Sequence, residues 1–233
     1  MLHDFSRRHR ELEIMDEPEV DERELAGALD ELAIINRALN GYAPSIEGIR
    51  GLLPPGARKL TLLDVGTGGG DLLQHVHDWA AARGIEAHML GIDVSAPTIS
   101  YARRRGSGVA HLDFQVADLL DLPETRSFDI VHCALALHHF EEETAAAALK
   151  KMFALSRWGV VINDLHRHRL AYYAIRLLTR LFSKSRLIRN DAPLSVLRAF
   201  HRADFKRLAR EAELPEPSIR WHWAFRWRVL FRK

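Results

Sequence analysis

Hydrophobic residues along this chain form short continuous runs that alternate with segments in which they recur every three or four positions. The continuous runs predict strands at Leu60–Val65, Ala87–Asp93, His111–Val116, Phe128–Ala134 and Trp158–Asn163. The periodic segments predict helices at Leu72–Ala82, Ala96–Arg105 and Glu142–Leu155. Strands that alternate with helices are typical of an α/β fold, and near-continuous apolar strands are typical of a parallel sheet covered on both faces. We therefore expect a doubly wound, mostly parallel sheet.

The two ends of the chain carry a different pattern. Residues 1–20 have no clear period, which predicts a loose arm or a short helix. Helical spacing before the first strand predicts helices over Asp21–Leu39 and Ser45–Leu53. After the fifth strand the pattern predicts one or two helices over Leu165–Asn190, another over Asp204–Glu213 and two closing strands within Ser218–Phe231. We therefore expect a seven-stranded sheet in a single domain, with N-terminal helices and a helical insertion after strand five.

Composition narrows the class of protein. With 233 residues, of which 47% are hydrophobic, the chain is able to bury one sizeable core. The single cysteine, Cys133, excludes an internal disulfide and favours a reducing compartment. No apolar run approaches the roughly 20 residues of a membrane span, and the polar, charged N-terminus does not resemble a signal peptide. These features predict a cytoplasmic location.

Charge is distributed unevenly along the chain. The formal net charge is only +2, but residues 1–34 are rich in acids, whereas the segment after Asp164 is strongly basic. Such asymmetry raises the question of an anionic partner. Because no recognised nucleic-acid-binding module accompanies the basic residues, we expect no nucleic-acid partner.

A glycine-rich turn follows the first predicted strand and is the most informative motif. From Asp64 to Asp71 the sequence reads Asp-Val-Gly-Thr-Gly-Gly-Gly-Asp. Glycines permit a tight turn and close approach of a ligand, and the helix that follows offers free backbone N–H groups at its N-terminus. A dinucleotide-binding fingerprint would require a third glycine where Asp71 stands, so the spacing disfavours a nicotinamide cofactor.

This Asp-x-Gly-x-Gly-x-Gly pattern resembles motif I of the class I, Rossmann-like methyltransferases that use S-adenosylmethionine. Three further segments are similar to that family in the same order: Gly91–Val94, Val116–Leu119 and Phe128–Phe140, the last of which resembles the ubiquinone- and menaquinone-biosynthesis-like group. The resemblance implies S-adenosylmethionine as the cofactor, with a carboxylate at the end of strand two on the ribose. The cofactor-binding residues that it implies are Asp64, Gly66, Thr67, Gly68, Gly70, Asp93, Val94, Asp118, Leu119 and Ala134.

The resemblance also divides the chain by expected role. We expect an N-terminal helical lid over 1–58, a cofactor-binding core over 59–164, a helical substrate cap over 165–202, and a closing helix and strands over 203–233. Related methyltransferases place an Arg or Asn of the lid on the carboxylate of the methionine moiety. Arg37 is the candidate, because a guanidinium suits that bidentate contact. Ordinary polarity at a helix end is the alternative account of Arg37.

Histidines supply the candidate catalytic groups. His138 and His139 close the strand-four motif, and an imidazole with a pKa near ~6.5 is able to remove the proton of a phenol or enol. A structural role beside the cofactor is the alternative, and we favour it for His138. Asp164 and His166 follow strand five and are expected to form an acid-oriented base, unless Asp164 caps the next helix. Because no acidic or cysteine cluster at ligand spacing accompanies the histidine pair, no metal is expected.

The strand-four motif also bears on the substrate. Methylases of exocyclic amines in nucleic acid carry Asp or Asn, then Pro-Pro and an aromatic residue, where this chain reads His-Cys-Ala-Leu from His132 to Leu135. We therefore expect methyl transfer to a hydroxyl of a small hydrophobic or aromatic, polyketide-like acceptor. C-methylation of a quinol-type ring is one alternative, and a non-catalytic cofactor-binding or membrane-docking module is another.

The basic segment 165–190 has an apolar face wider than a surface helix needs, which includes Tyr172, Tyr173, Leu177 and Leu181. A roof over a substrate pocket is the preferred interpretation. Contact with a second subunit, giving a homodimer, and peripheral contact with an anionic membrane stay open as alternatives.

Overall fold

The computed structural model describes residues 4–17 and 19–233, and within them the strands form one seven-stranded sheet. In chain order the strands are β1 (Lys59–Val65), β2 (Glu86–Asp93), β3 (Leu112–Val116), β4 (Phe128–Ala134), β5 (Ser156–Leu165), β6 (Ser218–His222) and β7 (Arg226–Arg232). Their order across the sheet is β3-β2-β1-β4-β5-β7-β6. The first five are parallel, and β7 runs antiparallel to both β5 and β6. This topology confirms the predicted α/β, mostly parallel fold.

Eight α-helices accompany the sheet in the described part of the chain. They are α1 (Glu22–Ala38), α2 (Ala43–Leu52), α3 (Asp71–Ala81), α4 (Ala96–Arg105), α5 (Glu142–Leu155), α6 (Arg169–Phe182), α7 (Arg186–Arg198) and α8 (Arg202–Glu211). The insertion after β5 therefore contains two helices. The second continues eight residues beyond the predicted end at Asn190 and contains Pro193, a residue that usually marks a helix boundary.

Strand β5 is longer at its carboxyl end than the sequence predicts. Its pairing with β7 runs from Gly159 opposite Arg232 to Leu165 opposite Arg226, so that the polar pair Asn163 and Asp164 stays within the ladder. Neither residue caps the next helix. The N-cap of α6 is His168, whose side chain accepts a hydrogen bond from the Leu170 N–H.

The central strands are buried on both faces, because alternate side chains enter two separate hydrophobic layers. Leu63 and Val160 pack with α5 and α8 on one face, whereas Leu62 and Val161 pack with α2 and α3 on the other. This two-sided cover explains why β1 and β5 read as continuous apolar runs.

An extended segment near the N-terminus, residues 8–17, crosses α7 and the loop after β4, and we call it the strap. It contains one turn of 3-10 helix at Ile14–Asp16. The backbone N–H groups of Ile14 and Met15 both donate to the buried Asp191 carboxylate of α7, at 2.9 Å. Arg8 donates to the backbone carbonyls of Arg198 and His138. The predicted loose arm is therefore fixed to the domain by hydrogen bonds.

Some of the N-terminal acids form ion pairs and hydrogen bonds with the basic insertion inside the fold. Arg186 at the start of α7 makes a bidentate pair with Glu24 of α1, at 2.6 and 2.9 Å. Ser183 and the Lys184 N–H donate to Glu31, also on α1. Acidic residues of the N-terminal helix thus meet polar and basic groups of the insertion. Among the described residues no helix is both long and apolar enough to cross a membrane.

Candidate active site

The glycine turn lies at the carboxyl edge of the sheet, between β1 and α3. Next to it are the ends of β2 and β4, which flank β1 on its two sides. In open α/β sheets ligands bind in the crevice at this point, where the strand order reverses. The Thr67 N–H donates to the carbonyl of Ile92, which ties the turn to the end of β2. The Thr67 hydroxyl is buried and has no hydrogen-bond partner among the described residues.

The glycines of the turn serve different physical purposes. A Cβ at Gly66 would lie 2.3 Å from the Cβ of Ala136, so this glycine lets the loop after β4 pack against the turn. A Cβ at Gly70 would lie 2.5 Å from the Phe114 ring, so this one lets β3 approach. At Gly68 the backbone φ is +53°, and no described atom beyond its chain neighbours lies within 4 Å of a Cβ position. Gly68 therefore leaves open space above the turn.

Asp93 at the end of β2 faces the same space. Its carboxylate accepts hydrogen bonds from the N–H of Gly68, at 3.2 Å, and from the N–H of Ser95, at 3.0 Å. Burial raises the pKa of Asp93, and the negative charge of Asp16 on the strap acts in the same direction. The neighbouring Val94 is 70% exposed. The carboxylate thus lies beside the open face of the glycine turn, where the resemblance expects the ribose.

Replacement of Asp93 by Ala is expected to lower the affinity for S-adenosylmethionine at least about tenfold. A hydrogen bond to a charged group contributes about 1.5–3 kcal/mol, and the ribose would lose such bonds. Calorimetric titration of the purified variant measures the change. Asp113→Ala, which removes an exposed acid from the neighbouring β3, is the matched control and should leave affinity unchanged. Equal affinities for all three proteins would contradict the ribose assignment.

Asp64, predicted to touch the cofactor, lies beneath the turn instead. It is 2% exposed, and its Oδ1 is 2.7 Å from Nδ1 of the fully buried His132. The other imidazole nitrogen of His132 is 2.9 Å from the Ser45 hydroxyl, which also accepts a hydrogen bond from the Asn163 amide. The carboxylate of Asp64 is therefore committed to an internal network that joins β1, β4, β5 and α2. Its observed role is support of the turn, and the expected contact with the cofactor stays a prediction.

The residues expected at the adenine lie at the outer end of the same edge. Asp118 is exposed and accepts a hydrogen bond from the Leu120 N–H, whereas Leu119 is buried in the core. A shallow cavity of about 330 Å³ adjoins Asp118 and is lined also by Gln115 and Leu122. Ala134, expected under the methionine part, is half-buried at the end of β4. These contacts stay predictions.

The lid residue Arg37 is exposed on α1. The buried guanidinium of this region belongs to Arg226, which is 4% exposed and donates to the Asn36 side chain at 2.8 Å. Burial lowers the pKa of Arg226 to about 10, against the opposing effect of Asp164, and its Nε has no hydrogen-bond partner among the described residues. Sequence reasoning missed Arg226. The only signal was a charged residue at the inward position of an aromatic strand.

His138 and Asp164 form a buried pair. Nδ1 of His138 is 2.7 Å from Oδ1 of Asp164, and the exposed fractions of the two side chains are 2% and 0%. Burial opposes protonation of His138, but the carboxylates of Asp164 and Glu13 outweigh it and raise the pKa of His138 to about 9. The predicted pairing of Asp164 with His166 is wrong, because the loop after β4 folds back and places His138 against this carboxylate.

His139 is held by the strap. Its Nδ1 is 2.8 Å from Oδ2 of Asp16, and its Nε2 is 3.8 Å from Oε2 of Glu13. Glu13 is 5% exposed and also accepts a hydrogen bond from the Ser195 hydroxyl. Burial works against ionisation of Glu13, yet the neighbouring imidazoles bring its pKa down to about 2.

These groups make one histidine–carboxylate cluster, and sequence reasoning found only part of it. Its members are Glu13, Asp16, His138, His139 and Asp164. The two acids of the strap come from a segment with no hydrophobic period and were noted only as part of an acid-rich stretch. The cluster lies at the same edge of the sheet as Asp93, because the histidine pair follows the end of β4 and Asp164 lies near the end of β5. The charges of Asp16 and His139 act on Asp93.

His166 lies apart from the cluster, among aromatic rings. Its ring centroid is 4.7 Å from that of Trp227 and 5.2 Å from that of His168. Burial and the positive charges of His168, His201 and Arg167 lower the pKa of His166 to about 4. Its Nδ1 has no hydrogen-bond partner among the described residues. An imidazole without a carboxylate partner is not an acid-oriented base.

This environment predicts an acid sensitivity that His166→Phe should reduce. Between about pH 6.5 and pH 4 the unfolded chain binds a proton at His166 that the folded chain does not, so folded stability falls as the pH is lowered through this range. Phenylalanine keeps the ring and removes the titration. The decrease in thermal midpoint between pH 7 and pH 5 should be smaller in His166→Phe than in the wild type. His77→Phe, on the partly exposed face of α3, should behave like the wild type; equal decreases in all three proteins would contradict the assignment.

The apolar face of α6 lies on the outside of the protein. Of the residues expected to roof a pocket, Tyr172 is buried against Phe5, whereas Tyr173, Leu177 and Leu181 are exposed. An exposed face does not enclose a pocket, so the structure does not support the roof interpretation for these three side chains. Contact of the insertion with a second subunit or a membrane stays a prediction.

Comparison with protein families matches residues 62–159 to the family described as a methyltransferase domain. The matched segment begins in β1 and ends in β5, and it therefore contains the glycine turn, Asp93 and the His138–His139 pair. Comparison with the curated proteins gives no match.

Solved methyltransferases share the fold of this chain. An S-adenosylmethionine-dependent methyltransferase from Aquifex aeolicus has a TM-score of 0.63 and 16% identity, over 91% of this chain and 98% of that one. Human N-acetylserotonin methyltransferase in complex with S-adenosylmethionine has a TM-score of 0.63 and 19% identity, over 91% of this chain and 56% of that one. The CurJ carbon methyltransferase has a TM-score of 0.63 and 17% identity, over 92% of this chain and 61% of that one. This chain thus spans a little more than half the length of the last two.

Proposed function

We propose that this chain is an S-adenosylmethionine-dependent methyltransferase, and that it methylates a hydroxyl of a small aromatic or polyketide-like molecule. The observation that carries the proposal is the histidine–carboxylate cluster beside Asp93. A hydroxyl must lose its proton to become a good nucleophile, and this cluster contains the imidazoles and carboxylates that are able to take one.

The residues of the glycine turn fit S-adenosylmethionine. The open space above Gly68 leaves room for a ligand against the backbone, and the buried Thr67 hydroxyl offers an unused polar atom. The Asp93 carboxylate beside them supplies acceptors for ribose hydroxyls. We propose that Thr67, Gly68 and Asp93 hold the cofactor, which supplies an electrophilic methyl group on a sulfonium when bound.

The chain's own contribution to the reaction is orientation, exclusion of water and removal of the acceptor proton. His139 is 30% exposed at its side chain, whereas His138 is 2% exposed, so His139 is the imidazole of the cluster that an acceptor is able to reach. Asp16 accepts the Nδ1 proton of His139 and so keeps Nε2 free to take a proton. His138 and Asp164 are positioning residues behind it.

The class of acceptor is inferred from the strand-four motif, which departs from that of the nucleic-acid amine methylases. The aromatic rings at the ends of β5 and β7 contact one another, His168 with Phe225 at 5.0 Å and His166 with Trp227, and they lie apart from the histidine–carboxylate cluster. The known methyltransferases of this fold include a carbon methyltransferase, so the fold does not choose between oxygen and carbon, and the proposal for oxygen rests on the cluster.

A panel of phenols and hydroxylated polyketides, each incubated with methyl-labelled S-adenosylmethionine, tests the proposal. The expected product carries one added methyl group and has one exchangeable hydroxyl proton fewer than the acceptor. A methylated product that keeps all its hydroxyl protons would contradict O-methylation and support C-methylation of a quinol-type ring. Tight cofactor binding with no transfer to any acceptor would instead favour a non-catalytic module.

A further inference from the structure

We propose that Glu13, His138 and His139 bind a divalent transition-metal ion, for which zinc is the best match. The ligand atoms that these residues offer all lie within 4.8 Å of one another. Two imidazoles and one carboxylate are a donor set that zinc accepts readily. The sequence alone predicted no metal, since the carboxylate comes from the strap and is distant in sequence from the histidine pair.

The two imidazoles present their Nε2 atoms to the same carboxylate. Nε2 of His138 is 3.6 Å from Oε1 of Glu13, and Nε2 of His139 is 3.8 Å from Oε2. Both distances are too long for hydrogen bonds. Two ligands at 2.0–2.2 Å from a tetrahedral ion lie about 3.4 Å apart. A contraction of a few tenths of an ångström would bring these two distances to ligand spacing, and the two imidazole nitrogens lie within 4.8 Å of each other.

The opposite nitrogen of each imidazole is held by a carboxylate. Nδ1 of His138 is 2.7 Å from Asp164, and Nδ1 of His139 is 2.8 Å from Asp16. Carboxylates that accept the N–H of a metal-binding histidine fix its orientation and make the other nitrogen a better ligand. Both histidines have this arrangement, and in both the free nitrogen faces Glu13.

The burial of His138 is a second, independent indication of a metal site. His138 is 2% exposed, and its Nε2 has no hydrogen-bond partner among the described residues. A buried polar nitrogen without a partner is costly, and coordination of an ion would remove that cost. Arg8 and Arg198 approach the cluster, but there they donate to backbone carbonyls of residues 138–140.

Three protein ligands leave one position of a tetrahedral ion open, as in catalytic zinc sites. The partly exposed His139 marks the side from which that position is reached. The inference deepens the proposed function, on which it rests only for the use of the ion: with zinc bound, Nε2 of His139 would be a ligand and not the base, and the ion would itself favour loss of the acceptor hydroxyl proton. Binding of the ion itself is measured without cofactor or acceptor.

Calorimetric titration of zinc chloride into chelator-treated full-length protein tests the inference. A second group, Glu86, His88 and His111, is exposed and also has ligand spacing, so the titrations are made in a His88→Ala background that removes it. We expect one zinc ion per chain. Asp16→Asn should weaken binding at least about tenfold, because a neutral amide replaces the carboxylate that makes Nε2 of His139 a better ligand. Glu13→Gln and His139→Ala should weaken binding by a larger factor.

Glu17→Gln is the matched control, since it neutralises an exposed acid on the same strap and should leave zinc affinity unchanged. Asp16 is 39% exposed at its side chain, so its variant keeps the experiment informative if a buried substitution fails to fold. Loss of all zinc binding in the His88→Ala background, or unchanged affinity in Asp16→Asn and His139→Ala, would overturn the inference. If zinc does not bind but His139→Ala still abolishes turnover, the metal site is wrong and the proposed function stands.

Discussion

The His139→Ala variant is expected to turn over at least about 100-fold more slowly than the wild type, with the affinity for S-adenosylmethionine near normal. His139 is the partly exposed imidazole of the histidine–carboxylate cluster, and its ring does not belong to the glycine turn that is assigned to the cofactor. Its removal should therefore affect handling of the acceptor hydroxyl and leave donor binding intact. Steady-state kinetics with labelled donor, combined with calorimetric donor affinity, give both values.

The acidity of the acceptor supplies an internal control for this prediction. Acceptors acidic enough to ionise unaided should lose less activity in the variant, because they no longer need a group that takes the proton. His77→Ala removes a partly exposed imidazole from α3 and should leave the rate unchanged. Full activity of His139→Ala toward weakly acidic phenols would leave orientation and exclusion of water as the whole mechanism.

Replacement of Gly68 by Val is expected to weaken S-adenosylmethionine binding by about 100-fold or more, which corresponds to about 2.8 kcal/mol. The branched side chain would enter the open space above the turn, and the backbone φ of +53° disfavours a β-branched residue. The same space is the one that Asp93 faces. Calorimetric or fluorescence titration with the cofactor measures the loss.

The Gly56→Val variant separates the effect of backbone strain from the effect of steric overlap with the cofactor. Gly56 has a φ of +77° and no described atom beyond its chain neighbours within 4 Å of a Cβ position, but it precedes β1 and so lies at the opposite edge of the sheet. Both variants should lose thermal stability through backbone strain. Only Gly68→Val should lose the cofactor, and an equal loss of affinity in the two variants would remove the glycine turn from the site.

The strap connects the two halves of the candidate site. Glu13 and Asp16 reach the histidine pair, and the charge of Asp16 also acts on Asp93. Asp191 of α7 fixes the strap through the N–H groups of Ile14 and Met15. The insertion after β5 therefore contributes to the site indirectly, because α7 holds the strap that brings Glu13 and Asp16 to the histidine pair.

Several properties of this protein were determined by the sequence alone because they depend on local pattern. Continuous apolar runs gave β4 at Phe128–Ala134, and helical periodicity gave α4 and α5 with the bounds that the structure has. The glycines predicted the turn, because positive φ angles and close approach favour glycine, and the resemblance of their spacing to motif I implied the kind of cofactor. In each case the information lies within about ten neighbouring residues.

Other properties were decided by tertiary structure. The length of β5 depends on its pairing with β7, and the partner of Asp164 is His138 because the loop after β4 folds back onto β5. Glu13 joins the histidines through a segment without any hydrophobic period. A carboxylate accepts a hydrogen bond from any donor that lies within about 3 Å. Packing between segments that are distant in the chain decides which donor that is. The sequence by itself therefore determined the fold and, by resemblance, the expected cofactor, whereas the composition of the histidine–carboxylate cluster was decided by the way the strap, β4 and β5 meet.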